Sequence, residues 1–147
     1  MRASAPLNFL EEGKALFMDL NYQRFIERKT EFKSALNRLS DALSQPENEF
    51  TRDATIQRFE FTYELAWNAL KNYLLIKDID VRNAKDTLKA ALEQGLIKDG
   101  DAWSNLHRNR NLVADIYDEA LANRVYRYIK TEGSSLFSHL AARLEKL

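Results

Sequence analysis

Between Trp103 and Glu119 the chain reads WSNLHRNRNLVADIYDE, a segment crowded with side chains that can handle phosphate. Arg110 carries a planar fork of donors matched to phosphate oxygens, and it stays charged at any cellular pH. Asn111 can orient a carboxylate or a ribose hydroxyl, and Tyr117 can stack on a base or accept a transferred group. His107, Asn111 and Asp115 stand four residues apart and share a helix face. One histidine and one carboxylate are too few for a closed metal site, and asparagine is a poor transition-metal ligand, so no metal or cofactor is expected. There is no glycine-rich phosphate loop. With no cysteine, and His107 and His139 the only histidines, a nucleophilic triad is not persuasive. The plainer alternative is that Arg110 pairs with Asp115 or a core glutamate while Tyr117 simply packs.

The elements that must position this segment are helical. Trp103, Leu106, Arg110, Val113 and Tyr117 recur at three- and four-residue spacing, which predicts a helix fraying near Asp115 to Tyr117. Asp101 is the expected cap at its start, and Asp118 caps the helix that follows. A first long helix is predicted from Leu20 to Leu43, stopped at Ser44-Gln45-Pro46. A second is announced by Asn48 to Asp53 and runs to about Lys77. Its apolar residues, Phe59, Tyr63 and Leu70 on one face with Phe61, Leu65 and Trp67 elsewhere, predict a helix central in its own domain and shared with a second copy. Glu60 and Glu64 sit within that apolar run, either as salt-bridge partners of a neighbouring helix or as groups that orient Arg110. A short third helix spans about Arg82 to Leu96, with Leu88, Ala91 and Leu92 facing inward and Gly95 at its end. The last runs from Glu119 to about Leu144, with a bend expected at Gly133-Ser134-Ser135.

Two prolines and four glycines in 147 residues leave little room for sheet hairpins, so the fold class is all-α. Short connections between long helices predict an antiparallel up-and-down bundle of four to five helices. Residues 1–18, interrupted by Gly13, read as a loosely attached extension, and residues 19–147 as one helical domain. The 22 basic and 22 acidic residues cancel, so a nucleic-acid role needs a local patch. Neither DNA nor a membrane is expected as a partner. The absence of cysteine, of a long apolar run and of a convincing signal peptide fits a cytoplasmic chain.

Three runs, RDATIQRFEFTYELAWNALKNYL (Arg52 to Leu74), AALEQGLIKDGDAW (Ala90 to Trp103) and RNLVADIYDEALA (Arg110 to Ala122), resemble the HEPN family. Within it they resemble the nucleotidyltransferase substrate binding protein branch, over about residues 22 to 145. The resemblance implies a dimeric helical bundle that partners a minimal nucleotidyltransferase (MNT) in a bacterial toxin–antitoxin module. The HEPN member is typically the toxin, a metal-independent ribonuclease acting on RNA. Its motif is arginine, a polar residue, three more residues, histidine, any residue, tyrosine, and two copies face each other across the dimer. Several partner nucleotidyltransferases silence the toxin by attaching AMP to the tyrosine.

By that resemblance Arg110 and Asn111 fill the first two motif positions and Tyr117 is the tyrosine; Glu64 and Arg108 are candidate supporting groups read from the residues themselves. Asp115 stands where the motif has histidine. An imidazole titrates near neutrality and can take and return a proton, whereas an aspartate of pKa about 3.9 is a weak base and a poor acid at pH 7. Three explanations compete: a degenerate, non-cleaving subunit; an engineered change that lets a toxic protein be produced; or another catalytic group. His107 is the only nearby candidate, but it precedes Asp115 by about 12 Å along the helix axis. A dimeric substrate-binding subunit of a nucleotidyltransferase, without cleavage of its own, is the alternative function.

Overall fold

Helix ends in this chain are set by short-range chemistry, and they determine which side chains meet. The structure, a computed structural model, describes residues 5–115 and 118–147, with side chains over 9–114 and 118–147. The described residues form α1 (Ala5–Leu43), α2 (Glu49–Ile76), α3 (Ala84–Glu93), α4 (Gly100–Asp115), α5 (Glu119–Tyr128) and α6 (Ser134–Glu145). A π-helical turn, Ile129–Gly133, joins α5 to α6 without leaving helical backbone angles, so the two form one rod with a widened turn. That irregularity falls where a bend was expected, at Gly133. Five antiparallel rods result, as the short connections predict.

Pro46 closes α1, and α2 opens on a reciprocal cap. The Asn48 side chain accepts from the Thr51 N–H at 2.9 Å, while the Thr51 hydroxyl accepts from the Asn48 N–H at 2.8 Å. Two otherwise orphaned backbone donors are thereby satisfied. Gly95, at φ 73°, ends α3: its N–H reaches the Leu92 carbonyl and the Leu96 N–H reaches that of Ala91. The cap of α4 differs from expectation. Asp99, not Asp101, accepts from the Ala102 N–H at 3.0 Å, because the helix starts two residues earlier than an Asp101 cap implies, at Gly100. Asp118 caps α5 as predicted, accepting from Ala120 N–H at 2.9 Å.

Helix α1 starts well before Leu20 and passes Gly13 and Met18 unbroken. A single glycine costs a helix only about 1 kcal/mol relative to alanine, less than a break would. Every described side chain from 9 to 20 is exposed, and Asn21 is the first buried one among the described side chains of α1.

Helix α2 contacts every other helix, which makes it the axis of the bundle. Phe59, Tyr63, Leu70 and Leu74 are fully or almost fully buried along it. Phe137 of α6 is a second organising residue: its ring meets Phe32 of α1, Phe59 of α2 and Trp103 of α4 at centroid distances of 6.0, 5.8 and 6.3 Å. Burying one such ring contributes about 1.5–3 kcal/mol. Here it also fixes α4, and hence Arg110, against α2. No helix among the described residues is long and apolar enough to cross a membrane. Not every apolar residue is inward: Tyr22, Phe61 and Leu92 are exposed.

Candidate functional site

Two consecutive residues of α2, Tyr63 and Glu64, meet two residues of α4 one turn apart, His107 and Arg110. The Arg110 Nη2 donates to Glu64 Oε1 at 3.4 Å, and the other Glu64 oxygen accepts from Trp67 Nε1 at 3.0 Å. The arginine therefore leans on a carboxylate that is itself held. It is mostly buried, and its Nε–H has no acceptor among the described residues, so donor capacity remains unspent. Glu60 completes the cluster. Burial raises its pKa above 4.5, Arg110 opposes that rise, and Glu64 adds to it.

The second pair carries no net charge. The Tyr63 hydroxyl hydrogen-bonds His107 Nδ1, and Asn111 Nδ2 lies 3.1 Å from Nε2 of the same ring. Burial is the main reason that the His107 pKa falls below 6.5, with Arg110 and Lys85 repelling a further proton. Burial likewise drives the Tyr63 phenol upward, helped by Glu64 and opposed by Arg110. Both groups thus remain neutral near pH 7, and both ring nitrogens are engaged.

Of the sequence-predicted site residues, Arg110, Glu64 and Asn111 come together around α2 and α4. Arg108 does not join them: it donates to Asn105 Oδ1 at 3.2 Å and lines the groove between α3 and α4. The Asp115 side chain and all of Tyr117 lie outside the described residues. Asp115 itself is the last residue of α4, four positions after Asn111. Among the described residues no three His, Cys, Asp or Glu side chains converge as a metal site requires.

Sequence reasoning assigned Tyr63 to packing and missed its bond to His107. Tyr63 precedes Glu64 directly and His107 precedes Arg110 by one helical turn, but nothing in the spacing within either helix pairs the two. Folding brings Tyr63 and His107 together beside the Glu64–Arg110 contact.

The α3–α4 groove has a volume of about 590 Å³. Gly100 permits the close approach behind it, because a Cβ there would meet Leu92 Cδ2 at 2.9 Å.

Comparison with known proteins gives three likenesses. Residues 27–146 match the family described as "Nucleotidyltransferase substrate binding protein like". A Haemophilus influenzae protein named "Probable ribonuclease HepT" is 36% identical over 96 residues, covering 60% of this chain. The match spans 66% of that relative's length, just under two thirds. A protein from Thermus thermophilus of known crystal structure superposes with a TM-score of 0.70 at 30% identity, covering 77% of this chain and 98% of its own.

Proposed function

Because the chain belongs to the nucleotidyltransferase substrate binding protein like family, among the HEPN proteins, we propose that it is the HEPN subunit of a bacterial toxin–antitoxin pair. It works as a cytoplasmic homodimer of ribonuclease ancestry, and as written it does not cleave RNA. The observation that carries this reading is the mostly buried Arg110, braced by Glu64 and left with an unpartnered Nε–H. A guanidinium held this way offers preorganised donors to a phosphate whose charge grows in the transition state.

Cleavage of RNA without a metal needs more than that arginine. The ribose 2′-oxygen attacks the adjacent phosphorus, the bond to the 5′-oxygen breaks, the 2′-proton goes to a base and the leaving oxygen gains a proton. Asp115 puts a carboxylate at the position of the motif histidine, a group that in water is ionised at neutral pH and supplies no proton. Loss of a general acid–base group lowers the rate roughly 100- to 10,000-fold. His107 is a poor replacement, since Tyr63 and Asn111 occupy its two nitrogens and burial, with Arg110 and Lys85, depresses its basicity.

The partner is a minimal nucleotidyltransferase, which uses Tyr117 as acceptor. The phenol oxygen attacks the α-phosphorus of ATP, the α–β phosphoanhydride breaks, pyrophosphate leaves and the phenol proton passes to solvent. The added phosphate puts negative charge near Arg110 and obstructs RNA.

An RNA-cleavage assay on Asp115→His tests the first half. The parent chain leaves RNA intact, and the variant is expected to cleave it and to become toxic. A folded but inert variant, or a parent that cleaves, overturns the reading. For the second half, the protein is incubated with the nucleotidyltransferase and ATP and its intact mass is read. Increments of whole AMP units that vanish in Tyr117→Phe are expected, and increments that survive exclude Tyr117. Asp115 also favours a second reading, a dimeric substrate-binding subunit of the nucleotidyltransferase. An inert Asp115→His variant that still binds that enzyme would select it.

A further inference from the structure

We infer that the groove between α3 and α4 is a subsite for single-stranded RNA, holding an unpaired nucleotide next to the one presented to Arg110. This rests on the RNA reading above and adds a place where the strand is held independently of cleavage.

Charge is the first observation. Lys85 and Lys89 of α3 and Arg108 of α4 line the groove, and among the described residues no carboxylate does, in a chain whose charges cancel overall. Among the described residues none of the three forms an ion pair; Arg108 meets only the Asn105 amide oxygen. A local concentration of unneutralised cations is the electrostatic requirement for nucleic acid that net composition does not meet.

Shape and chemistry narrow the occupant. Between the cations the floor is apolar, made by Leu88, Leu92, Ile97 and Trp103. Its volume, about 590 Å³, suits a ligand the size of one nucleotide. A bare phosphate has no use for that floor, and an apolar ligand has no use for three cations. A nucleotide needs both, a surface for the face of its base and donors for its phosphates. An acidic amphipathic helix also combines the two. However, α3 has only ten residues and runs about 15 Å, too short a wall for several turns of such a helix. Ser104, His107 and Asn111 add polar groups to the groove's lining.

Position ties the groove to the site. His107 and Asn111 line it, while His107 also bonds Tyr63, the neighbour of the glutamate that braces Arg110. One strand can therefore rest a phosphate on Arg110 and lay an adjacent base between α3 and α4.

The test is fluorescence anisotropy of a labelled short single-stranded RNA with the full chain. The double variant Lys85→Glu, Lys89→Glu is expected to bind about tenfold or more weakly, with a shallower salt dependence. Lys33→Glu with Lys130→Glu makes the same charge change away from the groove and is expected to have little effect. RNA carrying 4-thiouridine is expected to photo-crosslink within residues 85–112. Circular dichroism confirms that each variant is folded. If the groove variant binds normally while Arg110→Ala does not, the groove inference falls and the RNA reading stands. If the unmodified chain binds no RNA, the RNA reading fails and takes the groove with it. Loss of binding to the nucleotidyltransferase with RNA affinity unchanged would make the groove a protein-docking site and overturn the inference.

Discussion

Nη2 of Arg110 lies 3.4 Å from Oε1 of Glu64, joining α4 to α2 across 46 residues of sequence. Glu60 stands within electrostatic reach of both. The arrangement is therefore one cation between two carboxylates of a single helix turn. Removing the cation and removing one carboxylate have different consequences.

Glu64→Gln takes away a partly exposed partner, whose ion pair is worth no more than about 1 kcal/mol. For a chain of this size that lowers Tm by about 2–4 °C. Arg110→Ala is expected to cost more, because it leaves Glu60 and Glu64 facing each other without a cation. Thermal unfolding of both variants checks the order, and Glu60→Gln added to Arg110→Ala is expected to recover part of the loss. Equal losses without that recovery would contradict a shared cluster.

Glu60 carries its own pH signature. Its folded pKa is raised above 4.5 by burial, against Arg110 and together with Glu64. The folded chain thus binds this proton more readily than the unfolded chain. The stabilisation is complete below 4.5 and is lost as pH rises through the folded pKa. Glu60→Gln is expected to be more stable than the parent to denaturant at pH 7, with the gap closing in acid. A variant that is weaker at pH 7 would show that attraction to Arg110 outweighs burial.

His107 behaves in the opposite sense. Its folded pKa lies below 6.5, so its contribution to stability is present above 6.5 and is lost as pH falls through the folded value. An NMR titration of the imidazole is expected to show a midpoint below 6.5 that rises in Lys85→Ala. His107→Gln is expected to flatten the stability profile across that window. A midpoint at or above 6.5 in the parent would refute the neutral Tyr63–His107 pair.

Much of this arrangement is legible before folding. Pro46, Asn48, Gly95 and Asp118 mark helix ends through bonds within a few residues, and three- and four-residue spacing assigns Phe59, Tyr63 and Leu106 to the core. The start of α4 is less legible, because Asp99 and Asp101 both suit a cap and only the backbone chooses. Leu92 reads as inward by periodicity. It is exposed because the next helix, admitted by Gly100, leaves the α3–α4 surface open as a groove. The Tyr63–His107 bond joins residues 44 apart, and periodicity within one helix carries no information about its partner. Asp115 and Tyr117 are legible only by resemblance.

The ends of α2 and α3 allow a backbone test free of site chemistry. Both close with the same pair of bonds, but α2 places Asp78 in the left-handed region at φ 62°, where α3 has Gly95 at φ 73°. The Asp78 N–H reaches the Leu75 carbonyl at 3.0 Å and the Ile79 N–H reaches that of Leu74 at 2.9 Å, so the strained angle is held by two hydrogen bonds. A side chain in that region costs about 1 kcal/mol, offset in part by the greater unfolded-state freedom of glycine. Asp78→Gly is therefore expected to stabilise by a few tenths to about 1 kcal/mol, raising Tm by at most about 4 °C. Gly95→Ala is expected to cost about 1 kcal/mol although no atom lies within 4 Å of the added carbon, so its effect is conformational alone. Urea unfolding of the two variants measures both signs. If Asp78→Gly destabilises while Gly95→Ala is neutral, backbone strain does not govern these helix ends, and the Asp78 side chain has a favourable contact that outweighs it.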